Sequence, residues 1–436
     1  IRILEAGVPV PDESESDGSP SRKSGWLDLS RVRIAINYQD EWSQMFREAW
    51  RLQKEFFWNE QLSGVDWNAV YRRYENLLSR IGSRSELSDL IWEMQGELGT
   101  SHAYEYGGDY PFSPQYPVGQ LGADLEYEPS RKAWVFRKIY RGDIWRVHQH
   151  SPLAEPGQQV QENDLLLEIG GVPLDGSTSP GELLVHQAGQ AVQLTVKTPG
   201  KKESKRKIIV KTLIHEGKTR YREWVKQNLK FVEAQSEGRV GYLHIPDMDT
   251  EGIAEFHRGF LSQVDREGLI IDARFNAGGW VSPLVLEKLT HRHLGYDVPR
   301  WGSPESYPYH TLRGHLVLIT NQFTGSDGDM FTASFKQLKL GKVIGKRTWG
   351  GVVGIDGRYQ LVDGTTTTQP QYSIWFHHAG WSVENYGVDP DLVVEDPPQS
   401  YSNGMDHQLK QAVEVIQKIL EEDPLPKIQD FKSNSR

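Results

Sequence analysis

The stretch Asn321-Gln322-Phe323-Thr324-Gly325-Ser326-Asp327-Gly328-Asp329 follows an apolar run, His315 to Thr320, and leads into an amphipathic run, Met330 to Leu340. That order predicts a strand, a tight glycine loop and a helix. Ser326 then stands where the first backbone N–H groups of the helix lack internal partners. Such groups favour negative charge, which is what develops around an acyl-transfer nucleophile. The plain alternative is that Ser326 only caps the helix.

A second crossing of the same kind lies upstream. Asp272-Ala273-Arg274-Phe275-Asn276-Ala277-Gly278-Gly279-Trp280 is again an apolar strand leading through glycines into a helix. Adjacent crossings bring two helix N-termini to one sheet edge, where the N–H groups of Gly279 and Asp327 can hold an oxyanion together. One such donor is worth roughly 3 kcal/mol in a transition state. Alternatively, Gly278-Gly279 serves a turn that needs positive φ.

Around these crossings strands and helices alternate. Val240 to Ile245 and Gly268 to Arg274 read as strands, with helices at Glu251 to Val264, Val281 to Thr290 and Asp329 to Leu340. Val343 to Gly345, Gly357 to Leu361 and Thr365 to Thr368 add strand material, and Asp406 to Leu420 closes with an amphipathic helix. This pattern predicts an α/β domain over 213–422.

Upstream the hydrophobic period is two. Leu121 to Tyr127, Ala133 to Ile139, Asp164 to Ile169 and Val192 to Lys197 read as strands, and Ser151 to Gly157 as a short helix and turn. Val118-Gly119-Gln120-Leu121-Gly122-Ala123 resembles the carboxylate-binding loop of a PDZ domain, and Asn163 to Leu174 resembles that fold's later strand pair and turn. A PDZ-like domain over 117–212 follows, able to bind peptide by β-augmentation or to act only as a spacer. Lys201 to Lys207 looks like a solvated hairpin tip. Earlier, helical spacing of Trp42, Met45, Phe46, Trp50 and Leu52, then Tyr71 to Leu78 and Leu87 to Leu98, predicts a small helical domain over 27–116. Residues 1–26 read as the end of a preceding module and a flexible linker from Asp12 to Gly25, and 423–436 as a tail. The start at Ile1 suggests the C-terminal part of a longer polypeptide.

The chain has 436 residues and a formal net charge of −10, which gives no reason to expect nucleic-acid binding. It has no cysteine, so disulfides, thiol nucleophiles and thiolate metal sites are excluded. No run has the length of a membrane-spanning helix, and no signal-peptide pattern opens the chain.

A serine nucleophile needs a base. His102, in Gly99-Thr100-Ser101-His102-Ala103-Tyr104, lies where a helix stops and the chain turns outward. His291, His293, His377 and His378 look like surface or packing residues. Glu384, in Trp381-Ser382-Val383-Glu384-Asn385-Tyr386-Gly387-Val388-Asp389-Pro390, is an acid able to orient a base.

Together Ser-His, Asn-x-Gly-Gly, Gly-Ser-Asp-Gly-Asp and Glu-Asn-x-Gly-Val-x-Pro-Asp resemble the C-terminal half of the tricorn protease family, relatives of the carboxy-terminal-processing peptidases. The resemblance implies a multidomain α/β and α+β fold: a small helical domain, a PDZ-like β domain and a crotonase-like α/β sandwich. It implies a serine peptidase needing no metal or cofactor. By motif, Ser326 resembles the nucleophile, His102 the general base, and Ser101 with Glu384 the relay that orients the imidazole. Gly279 and Asp327 resemble the oxyanion donors, and Asp297 an acid favouring basic P1 side chains. Peptide substrates, a homohexamer and a cytoplasmic location are further implications. The processing peptidases use a Ser–Lys pair, with lysine after an aromatic-glycine step. In Lys346-Arg347-Thr348-Trp349-Gly350-Gly351-Val352 a glycine fills that slot. Lys346 stays a rival base, requiring burial to lower its pKa. A non-catalytic, peptide-binding relative is the other rival.

Overall fold

The computed structural model describes residues 1–7, 19–22, 24–143, 146, 149–200, 205–426 and 428. Most of the predicted linker, four residues of the predicted hairpin tip and most of the tail lie outside that set. The chain forms two compact units, each discontinuous in sequence.

The first unit comprises Ile1–Leu98, Ala103–Tyr110 and Gly357–Gln369. Its helices, Tyr38–Phe56, Trp67–Glu75 and Arg84–Gly96, start at side-chain caps: Asn37, Asp66 and a Ser83–Glu86 capping box. Their apolar stripes bury Met45, Phe46, Leu52, Leu87, Ile91 and Met94, with Leu361 packed among them. Glu105–Tyr106 pairs with Thr366–Thr367. The strand expected at Gly357 to Leu361 is absent. A short strand occurs earlier, at Gly354–Asp356, and Gln360 makes only an isolated bridge to Thr366. The chain turns at Gly364, with φ +82°, and Leu361 is drawn into the helical core instead.

The second unit holds Gly99–His102, Pro111–Asp356 and Pro370–Arg436. Its N-terminal part is an antiparallel sheet of Ala123–Glu128, Ala133–Ile139, Leu165–Ile169, Ala191–Lys197 and Lys205–Lys211. Lys205 to Lys207 therefore open a strand rather than a hairpin tip, and Arg206 is ion-paired to the buried Asp164.

The remainder is a parallel sheet between two helical layers. Strands β1 (Val240–His244), β2 (Gly268–Asp272), β3 (His315–Thr320), β4 (Gly341–Gly345) and β5 (Leu392–Val393) lie side by side in chain order. Strands β1, β2 and β3 are almost wholly buried, as parallel strands covered on both faces must be. Side chains alternate: Leu243, Leu269, Ile271, Leu316 and Leu318 enter one core, while Tyr242, Ile270, Val317 and Ile319 enter the other. Each fully buried aliphatic contributes about 1.5–3 kcal/mol. Crossover helices α2 (Thr250–Gln263), α3 (Ser282–Thr290) and α4 (Asp327–Gln337) supply Phe256, Val285 and Phe331 to the first core, so all three cover one face. One-handed crossovers between neighbouring parallel strands require this. Helices α1 (Gly217–Gln235) and α5 (His407–Glu422) cover the other through Val232 and Ile416. The loops after β2 and β3 consequently emerge together at the C-terminal edge of the sheet, where open α/β folds place their ligands.

Candidate active site

Ser326 stands at the turn from β3 into α4 with φ +57° and ψ −122°, a conformation that costs a non-glycine residue about 1–3 kcal/mol. Its hydroxyl makes no capping bond to the helix. The simple capping reading is thereby removed, and the strain has no local compensation from that side chain.

The β2–α3 loop presses against this turn. The N–H of Gly325 donates to the Asn276 carbonyl at 3.0 Å. A methyl group on Gly278 would stand 2.4 Å from the Ser326 Cβ, so only glycine fits there. Gly279 is equally constrained: φ is +145°, and a Cβ would meet the Met248 carbonyl oxygen at 2.0 Å. The glycines thus serve both positive φ and close approach. Asn276 locks the loop by donating from Nδ2 to the Ile245 carbonyl at 2.9 Å and accepting the Gly278 N–H at 3.0 Å. The two helix starts are fastened directly, since the Asp327 carboxylate accepts both the N–H and the hydroxyl of Ser282. As the first residue of α4, Asp327 has an N–H without an intrahelical acceptor.

On another side lies a second polar constellation. The Glu384 carboxylate accepts the Ser101 N–H at 2.7 Å, the Thr100 hydroxyl at 3.1 Å and the Ser101 hydroxyl at 3.2 Å. It also accepts the N–H groups of Val352 and Val353, at 2.7 and 3.2 Å. Ser101 Oγ lies 2.7 Å from Nδ1 of His102. A carboxylate only accepts, so the Ser101 proton points to Glu384 and its oxygen accepts from Nδ1–H. The lone pair of the neutral ring then resides on Nε2. Burial lowers the His102 pKa below the ordinary imidazole value, and the Glu384 charge opposes this in part. Trp349 joins the two halves. Its ring meets His102 edge-on at 5.3 Å, and a Cβ on Gly325 would touch its Cε3 at 2.8 Å. The Ser326 hydroxyl and the imidazole are not themselves hydrogen-bonded among the described residues.

Three family models match segments of the chain: Tricorn protease C1 domain over 38–96, Tricorn protease PDZ domain over 119–215 and Peptidase family S41 over 239–394. A tricorn protease homolog from Saccharolobus solfataricus is 46% identical over 96% of this chain and 38% of its own length. Tricorn protease homolog 1 of Streptomyces coelicolor is 43% identical, covering 95% of this chain and 39% of the relative. The crystal structure of the tricorn protease superimposes with a TM-score of 0.86 at 38% identity, over 91% of this chain and 38% of that one. This chain belongs to the tricorn protease family. It spans well under half the length of these relatives.

Not every residue picked out by resemblance to this family joins the cluster. Asp297 lies on an exposed ribbon, Gly295–Asp297 paired with Glu305–Tyr307, directly across from Glu305. No hydrogen bond or ion pair ties it to the loops around Ser326 among the described residues. Lys346 is ion-paired to the exposed Glu395 and is itself partly exposed, so it lacks the burial a neutral lysine base requires. A side chain at Gly351 would meet the Trp349 ring at 2.3 Å. His291, His377 and His378 are exposed, and His293 packs on Tyr296.

Several contributors escaped the sequence reading. Trp349 was quoted only as part of a lysine motif. Asp329, whose carboxylate accepts the N–H groups of Gly350 and Gly351, is by residue type one more acid in the first turn of α4. Its place three residues after Ser326, in Gly-Ser-Asp-Gly-Asp, is the sequence signal that marks it.

Proposed function

We propose that this chain carries the catalytic portion of a serine peptidase acting on peptides. The observation that bears most weight is Ser326, strained at a strand-to-helix apex, its hydroxyl released from capping and pressed by Gly278. In this reading Ser326 Oγ attacks the scissile carbonyl while Nε2 of His102 takes its proton. The oxygen of the tetrahedral adduct lies toward the N–H groups of Gly279 and Asp327. His102 then gives the proton to the leaving amine as the C–N bond breaks. Water, deprotonated by the same nitrogen, cleaves the acyl-enzyme and returns the serine. Ser101 and Glu384 hold the ring with Nδ1 protonated and offset the imidazolium charge. The bond between nucleophile and base is often long before substrate binds.

The family relationship supports peptide substrates, a homohexameric assembly, a cytoplasmic location and a role for Asp297 in favouring basic P1 side chains. Ser326→Ala should abolish hydrolysis of fluorogenic peptides with the fold intact by circular dichroism. A fluorophosphonate should label Ser326 stoichiometrically. Full turnover by the alanine variant would refute the assignment, and an unlabelled wild-type chain would favour a peptide-binding role.

A further inference from the structure

Asp329 is fully buried, yet the steps above give it no part. It accepts the Gly350 N–H at 2.8 Å and the Gly351 N–H at 3.2 Å, and the Thr348 side chain and Ser326 backbone beside it favour its charged form against burial. A charged group stripped of water survives only with such partners. Asp329 is the third residue of α4, three positions beyond Ser326. The Ser326 hydroxyl makes no capping bond to this helix. The Asp329 carboxylate is therefore engaged by the Gly350 and Gly351 N–H groups while the Ser326 hydroxyl stays unspent.

The other two N–H donors matter as much. Gly350 and Gly351 lead directly into Val352 and Val353, whose N–H groups hold Glu384, and they follow Trp349, which touches His102. Thr348 also accepts the Val388 N–H, which fixes the same strip to the segment carrying Glu384. One buried carboxylate thus ties the first turn of α4, which Ser326 opens, to the strip that sets Glu384 and Trp349.

We infer that Asp329 is a positioning residue that holds the Ser326 turn and the Glu384–Ser101–His102 arm in one shared geometry. The inference rests on the proposed roles of Ser326 and His102. Asp329→Asn is isosteric but turns one acceptor into an NH2 facing N–H donors. It should lower kcat about a hundredfold, the loss a misplacement on the order of 1 Å brings. KM should stay within about twofold, and fluorophosphonate labelling of Ser326 should slow in parallel. An Asp329→Asn enzyme with wild-type kcat and labelling would overturn the inference, as would a loss explained by the unfolded fraction alone. If that variant does not fold, amide exchange in the unsubstituted chain decides. The Gly350 and Gly351 amides should be protected although they lie outside helix and strand, and rapid exchange there would overturn the assignment. Failure of the unsubstituted chain to label at Ser326 is a separate result, which removes the peptidase reading and this inference with it.

Discussion

The Ser101 hydroxyl lies 2.7 Å from Nδ1 of its neighbour His102 and 3.2 Å from Glu384, so a single oxygen connects imidazole and carboxylate. Adjacent residues rarely direct their side chains at each other. Here the positive φ of His102, +65°, turns the chain so that they do. Ser101→Ala deletes the acceptor of Nδ1–H and should reduce kcat by about 10–100-fold, the scale known for partners that orient metal-bound histidines. Glu384→Gln should cost at least as much, because its amide would present a donor to one of five donors. Steady-state kinetics on one peptide checks both, and unchanged kcat in either variant would remove the relay.

The pH dependence follows from burial of the same ring. In the proposed mechanism His102 must be neutral to act as the base, and burial holds its pKa below the ordinary imidazole value of about 6.5. The acid limb of kcat/KM should therefore fall below that value. The Glu384 charge raises the His102 pKa, so Glu384→Gln should shift the limb further to acid in whatever activity remains. The stability sign agrees. The unfolded chain binds its proton first as pH falls, so this contribution is complete above about pH 6.5 and is lost as pH drops through the folded value. An acid limb above pH 7 would contradict the placement of this base.

Local patterning made the sheet and both serine-side loops legible, because parallel strands buried on two faces leave unbroken apolar runs such as Leu269-Ile270-Ile271. Glycines then mark where each strand must turn. What local pattern could not give was partnership across long separations. Leu361 reads as strand, yet it completes the helical core. Helix α1, Gly217–Gln235, escaped notice because it buries only Thr219, Asn228 and Val232. Asp329 and Trp349 act through backbone N–H groups and ring faces, which carry no signature in residue type. His102 and Glu384 were singled out by motif. Their convergence, from positions 102 and 384, is visible only in the folded chain.

Gly278→Ala tests close approach directly. The new methyl would stand 2.4 Å from the Ser326 Cβ at a φ of +80°, so either the loop or the serine must move. Peptidase activity should fall by two orders of magnitude or more, since even a shift of about 1 Å costs roughly a hundredfold. Thermal melting should register only a modest loss. Near-normal kcat in that variant would show that the two loops have slack at this contact.

The PDZ-like loop bears on whether that module recruits peptide. The Gly122 N–H donates to the Glu216 carboxylate at 3.0 Å, and Arg220 holds the other oxygen of Glu216 at 2.6 Å. Gly119 and Gln120 donate to the Leu184 and Leu213 carbonyls. A carboxylate of the chain itself therefore occupies one donor, and backbone carbonyls occupy two more. Peptides with a free C-terminus should bind no better than their C-terminal amides, as calorimetry would show. Glu216→Ala should cost about 1–3 kcal/mol by leaving the buried Gly122 N–H unpaired. A clear preference for the free acid in the unsubstituted chain would mean that peptide displaces Glu216.

Beneath the same edge of the sheet lies a fully buried cation, Arg274, which the sequence reading passed over inside the second glycine crossing. Its guanidinium bonds Asp272, with both side chains inaccessible, and reaches Asp406 at 2.8 and 2.9 Å. Tyr242 adds its hydroxyl to Asp272 at 2.8 Å. Forming such a pair gains little over an apolar core, but removing one partner strands the others in a dry interior. Arg274→Ala should therefore lose about 3–5 kcal/mol in urea unfolding, well beyond the effect of truncating an exposed arginine. Because Arg274 begins the loop that presents Gly278 and Gly279, the loss should extend to activity at temperatures where the variant is still folded. A change under about 1 kcal/mol would mean that water reaches Asp272 and Asp406 and solvates the vacated charges.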